Sequence, residues 1–177
     1  MHQLITPEQV IGRYDAHPSL TPLKRHNIHL TCGLVNVICF EAEADGVILE
    51  DDPDTGTAIS GSRGGAGSGG LRVPEIISVA VLSPHYDGNA IDRTDVNRKL
   101  MRWCLSNVDR LKELGLYLEH PQWTSVWVHF QRIPPKSGTR FFIPYRDMVK
   151  NPPTCVALPE QTTAGVTSFR VKLGAKA

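Results

Sequence analysis

Helical spacing dominates the first part of the chain and strand alternation appears later. Thr6-Pro7-Glu8-Gln9 joins a capping hydroxyl, a proline at the first helical position and an acid behind it, which predicts a short helix to about Tyr14. His17-Pro18-Ser19 breaks it. Thr21-Pro22 opens a second helix in the same way, with Leu30, Leu34, Val37, Ile38 and Phe40 as its apolar positions and Asp45-Gly46 as its stop. Thr57 to Ser60, Ile76 to Leu82 and Asn89 to Asp92 have the length of short strands. Thr94 or Asp95 caps the clearest helix, in which Val96, Leu100, Met101, Cys104, Val108, Leu111 and Leu114 recur at helical spacing until Gly115. In Trp123 to Gln131, Val126, Val128 and Phe130 fall on one side and Trp127 and His129 on the other, a period-two strand. After the turn Pro134 to Gly138, Arg140 to Ile143 is expected to return antiparallel to it. Phe169, Val171 and Leu173 alternate again, as an edge strand or a loosely attached tail.

These elements predict one α+β domain over residues 1–177, with its core at about 21–145 and a C-terminal extension at 146–177: a small antiparallel sheet with helices packed on one side. A chain of 177 residues can bury a substantial core. The net charge of +1, from scattered Lys and Arg, gives no electrostatic footprint for nucleic acid. No stretch has the length and apolarity of a membrane span, and the N-terminus lacks a secretory signal pattern, so synthesis in the cytoplasm is expected. Cys32, Cys39, Cys104 and Cys155 contain no C-x-x-C pair, so they read as buried free thiols rather than zinc ligands. Gly61 to Gly70 is a Gly/Ser-rich loop that carries Arg63. No G-K-[ST] ends it, which argues against a phosphate cradle.

Candidate chemistry centres on Ser83-Pro84-His85-Tyr86-Asp87-Gly88-Asn89-Ala90-Ile91-Asp92. Small residues between His85 and Asp92 let the backbone fold tightly, so both side chains can converge on one ion. His129, on a strand bounded by large apolar residues, supplies a third ligand. Two imidazoles and a carboxylate suit zinc and leave a fourth position for water, whose pKa zinc lowers toward ~7.

Ser83-x-His85-x-x-Gly88-x-Ala90-x-Asp92 resembles the S-x-H-x-x-G-x-A-x-D signature of the zinc D-Ala-D-Ala carboxypeptidases and related peptidoglycan endopeptidases, phage endolysins among them. The hedgehog signalling domain has a similar metal scaffold. Ser60-Gly61-Ser62-Arg63 looks like that family's S-G-x-R, and Trp127-Val128-His129-Phe130 looks like its last ligand strand. The resemblance covers roughly Leu23 to Ile143. It implies His85, Asp92 and His129 as zinc ligands in a cleft above the sheet, and Arg63, with Ser83, as substrate-binding residues. It also implies a peptidoglycan stem peptide as substrate, and a phage lysis enzyme or virion protein as origin.

The chain departs from the family at one position. Many members carry an Asp or Glu three residues before the last histidine as general base, and here that residue is Val126. Glu119 and His120 are the candidate replacements, with Asp87 behind them. Glu119-His120-Pro121 otherwise reads as a polar turn after the helix. Val126 also supports a rival reading, a zinc-bearing binding or virion structural module without catalysis.

Overall fold

The computed structural model describes residues 3–54, 56–59, 70–73, 83–135 and 142–144. Helix α1, Pro7–Ile11, starts at a capping box: Gln9 N–H donates to Thr6 Oγ1 at 3.3 Å and Thr6 N–H to Gln9 Oε1 at 3.1 Å. It tightens into a 3-10 turn at Gly12–Tyr14. Helix α2, Pro22–Ala44, is capped by Thr21, whose hydroxyl accepts from Lys24 N–H. Its buried face is Ile28, Thr31, Cys32, Val35, Ile38, Cys39 and Ala42. Leu30 and Phe40, expected in the core, are instead 41% and 49% exposed.

The single helix expected after Asp95 is two. Neither Thr94 nor Asp95 is its N-cap, a place that Arg98 takes; the Asp95 carboxylate instead reaches forward to accept from Leu100 N–H at 3.0 Å and Met101 N–H at 2.8 Å. The helix begins later, however, after a turn in which Arg98 takes a left-handed conformation (φ 56°), and Val96 is left exposed. Helix α3, Lys99–Ser106, stops at Asn107, whose side-chain amide bonds back to Trp103 O, and helix α4, Val108–Glu113, follows. Asn competes for backbone bonds in this way and disfavours helix interiors.

Among the described residues, four antiparallel strands form the sheet: β1 (Ala90–Thr94), β2 (Tyr117–Glu119), β3 (Trp127–Gln131) and β4 (Phe142–Ile143), in the order β1-β3-β2-β4. Strand β2 ends on Glu119, the first residue of what reads in sequence as a turn. It separates β3 from β4, so the expected hairpin partner of β3 pairs with β2 instead. Of the strand expected at Thr57 to Ser60, the described residues end at Ile59, which forms a bridge with Arg93. The strand expected at Ile76 to Leu82, the alternation near Phe169 and Cys155 lie outside the described residues.

Strand alternation gives the sheet two unlike faces. Ile91, Val128, Phe130 and Leu118 share one core with α2 and α3, through Ile28, Val35, Ile38, Leu100, Met101 and Cys104. Arg93 is fully buried on that face and donates to Ala58 O (2.9 Å), Thr94 O (3.1 Å) and Glu50 O. It thereby fastens the segment before the sheet to β1. The helices therefore pack on one side, as expected. The opposite face carries Asp92, His129 and Glu119. No helix among the described residues is long and apolar enough to cross a membrane.

Candidate metal centre

His85 stands in a turn built for it. Tyr86 N–H donates to Ser83 O, Gly88 N–H to His85 O and Asn89 N–H to Pro84 O. Gly88 has φ +72°, and a Cβ there would lie 2.6 Å from Ile28 Cγ1 and 2.8 Å from Lys24 O. Only glycine lets the turn seat on α2 this way. Two side chains of that helix hold it: Thr31 Oγ1 donates to Gly88 O (2.8 Å) and Asn27 Nδ2 to Asp87 O (2.9 Å). Asp92 and His129 come together by register, as directly opposed residues of β1 and β3.

The three side chains meet at three atoms. His85 Nε2 is 3.3 Å from His129 Nδ1 and 3.5 Å from Asp92 Oδ1, and His129 Nδ1 is 2.7 Å from Asp92 Oδ1. All three residues are buried. Bonds of about 2.0–2.1 Å to a tetrahedral ion would separate ligand atoms by roughly 3.3–3.4 Å, close to the two longer distances. The shortest is a hydrogen bond drawn in by a proton. The cluster could hold a metal ion.

Each of the three side chains has a second contact that orients it, the arrangement usual for metal-binding histidines. His85 Nδ1 donates to Gly70 O at 3.0 Å, which leaves Nε2 facing the cluster. Gly70 is itself pressed onto α1: a Cβ would lie 2.5 Å from Val10 O, and Leu71 N–H donates to that same oxygen. His129 Nε2 lies 3.0 Å from Gln131 Oε1. Asp92 Oδ2 lies 3.7 Å from Arg72 Nη2. Burial pushes the His85 pKa down, so this imidazole stays neutral. Burial pushes His129 the same way, but its hydrogen bond to Asp92 and that carboxylate's charge outweigh it and raise the ring above its ordinary value. Asp92 is pushed up by burial, yet the two imidazoles outweigh that and hold it well below the usual carboxylate range.

Of the proposed replacements for the missing acid, Glu119 is brought to the cluster. The β2–β3 register, Tyr117 to Gln131 and Leu118 to Phe130, continues to place Glu119 beside His129. Asp92, His129 and Glu119 thus form one row across three strands. Glu119 is buried, and its charge contributes to the raised pKa of His129. His120 points elsewhere: its ring meets Trp123 edge-on at 5.9 Å, its Nδ1 accepts from Gln122 N–H, and burial lowers its pKa. Asp87 is exposed, its carboxylate 3.9 Å from Lys24 on α2. Val126 is exposed just before β3. Ser83 Oγ accepts from His85 N–H at 3.4 Å, which makes it part of the turn that presents the ligand. Arg63 lies outside the described residues.

Three contributors were not singled out from the sequence. Gln131 had a legible signal, because it follows His129 by two on a strand and so shares its face. Gly70 acts through its backbone, and Arg72 through the path of a Gly-rich segment, so neither leaves a pattern. Arg72 is partly exposed, and its buried Nε has no hydrogen-bond partner among the described residues. No family model matches the chain, and no curated protein or solved structure gives a significant match.

Proposed function

We propose that the chain is a zinc-dependent hydrolase that cleaves an amide bond in peptidoglycan stem peptides or cross-links. The observation that carries this reading is the convergence of His85, Asp92 and His129, three residues that a peptidase-like motif marks in sequence, with Glu119 in the same row. The donor set of two imidazoles and one carboxylate fits zinc. Bound there, the ion would supply Lewis acidity and hydroxide at neutral pH. Glu119 would take the proton of the attacking water on its carboxylate and return it to the leaving amine nitrogen. This moves the base from β3, where Val126 stands, to the neighbouring strand β2. Arg72 would hold a carboxylate of the substrate, since a guanidinium binds carboxylates through paired donors. Arg63 keeps the same proposed role.

Val126 favours a second reading, a zinc-bearing binding or virion structural module. Digestion of purified peptidoglycan by zinc-loaded protein, with a chelated control and mass spectrometry of the fragments, separates the two. The hydrolase reading expects chelator-sensitive release of stem-peptide fragments. Glu119→Gln should lower that release by about 100-fold or more with zinc still bound. Stoichiometric zinc with no release would favour the binding module.

A further inference from the structure

Gln131 ends β3, two residues after His129, so strand alternation turns both side chains to the metal face. Gln131 is buried and both ends of its amide are engaged. Its Nε2 donates to Ile133 O at 2.8 Å, and its Oε1 lies 3.0 Å from His129 Nε2. A backbone carbonyl only accepts, so the amide nitrogen must face Ile133 and the oxygen must face the imidazole. An oxygen there can only accept, so His129 Nε2 carries a proton. The other ring nitrogen, Nδ1, whose proton bonds Asp92 Oδ1, is then the one that would present a lone pair to a metal ion once that proton leaves. It is also the atom that lies 2.7 Å from Asp92 and 3.3 Å from His85 Nε2.

We propose that Gln131 is a positioning residue of the metal centre: held by Ile133 O, it fixes the ring orientation and tautomer of His129 so that Nδ1, not Nε2, is the ligand atom. The two imidazoles therefore bind through opposite nitrogens. His85 offers Nε2 because Gly70 O takes its Nδ1 proton, and His129 offers Nδ1 because Gln131 takes its Nε2 proton. One lock comes from the backbone, and the other is a single replaceable side chain. This inference rests on the reading of the trio as a metal site.

Two variants and one spectrum test it, with zinc as the probe. Gln131→Leu removes the acceptor at similar size, whereas Gln131→Glu keeps an oxygen facing Nε2. In competition with a chromophoric chelator, the Leu variant should bind zinc about 10- to 100-fold more weakly, while the Glu variant, which keeps the acceptor but not the donor to Ile133 O, should bind more tightly than the Leu variant. In the zinc-loaded parent with 15N-labelled histidine, the His129 ring proton should be found on Nε2. Equal affinity in parent and Leu variant, or a ring proton on Nδ1, overturns the proposal. If the Leu variant does not fold, the spectrum still decides. A parent that binds no zinc at all overturns the metal reading beneath it, which is a different result from zinc binding indifferent to Gln131.

Discussion

At the scale of single residues, the centre pairs one imidazole that resists protonation with one that invites it. Burial keeps His85 neutral, while Asp92 outweighs burial at His129 and raises it above the ordinary value of about 6.5. Metal binding needs His129 Nδ1 bare, so protons compete with the ion at this one atom. The sign follows: zinc affinity falls as pH falls, the fall begins above the range of an ordinary histidine, and His85 adds nothing there. A plot of log Kd against pH, measured by chelator competition, should therefore change by about one log unit per pH unit. A change of about two would show both rings competing and contradict the neutral His85. The convergence of His85, Asp92 and His129 was legible in sequence, because a motif with fixed spacing names side chains expected to meet. Their partners were less so: Gly70 contributes a carbonyl, which has no sequence identity, and Arg72 reaches Asp92 through folding of a segment without periodic pattern.

At the scale of elements, the starts of α1 and α2 were readable because caps are local chemistry: Thr6 and Thr21 cap where their hydroxyls predict. Strand β2 was not, because its three residues are too short for alternation to register and its place is set by neighbours on both sides. That strand matters most for the chemistry, since it turns Glu119 from a loop residue into a member of the row with His129. The other decisive junction is the seat of the His85 turn on α2. Gly88→Ala would force a Cβ against Ile28 and the Lys24 carbonyl at a positive φ. We expect a loss of about 2–4 kcal/mol from the strained backbone and the overpacking together, read by urea unfolding. Zinc affinity should fall as well, because the turn carries a ligand. Alanine at Gly33 of the same helix, where an added Cβ would meet nothing within 4 Å, should leave affinity unchanged. If Gly88→Ala kept the parent's stability, the described contact between turn and helix would be wrong.

For the whole molecule, the two faces of the sheet divide stability from chemistry. The apolar face and its helices contain no part of the trio, so the core should stand without the ion. Three thiols report on that core: Cys32, Cys39 and Cys104 are all buried. Burial pushes the Cys32 thiol up to about 12 and Cys39 up to about 11, and raises Cys104 well above its usual value. The thiolate is the reactive form, so these groups should react with an alkylating reagent only when the core opens. Chelated protein at neutral pH should therefore keep all three protected, as followed site by site by peptide mass spectrometry. Zinc at about 100 times its Kd should then add about 2.7 kcal/mol, which slows alkylation through global opening roughly 100-fold. His129→Ala should remove that zinc effect, and its chelated rate should exceed the parent's, because the substitution leaves the buried Asp92 carboxylate without its imidazole partner. Rapid alkylation of all three on chelation alone would mean that the ion is part of the fold itself. In that case the trio would be a structural site, and the hydrolase reading would lose to the binding module.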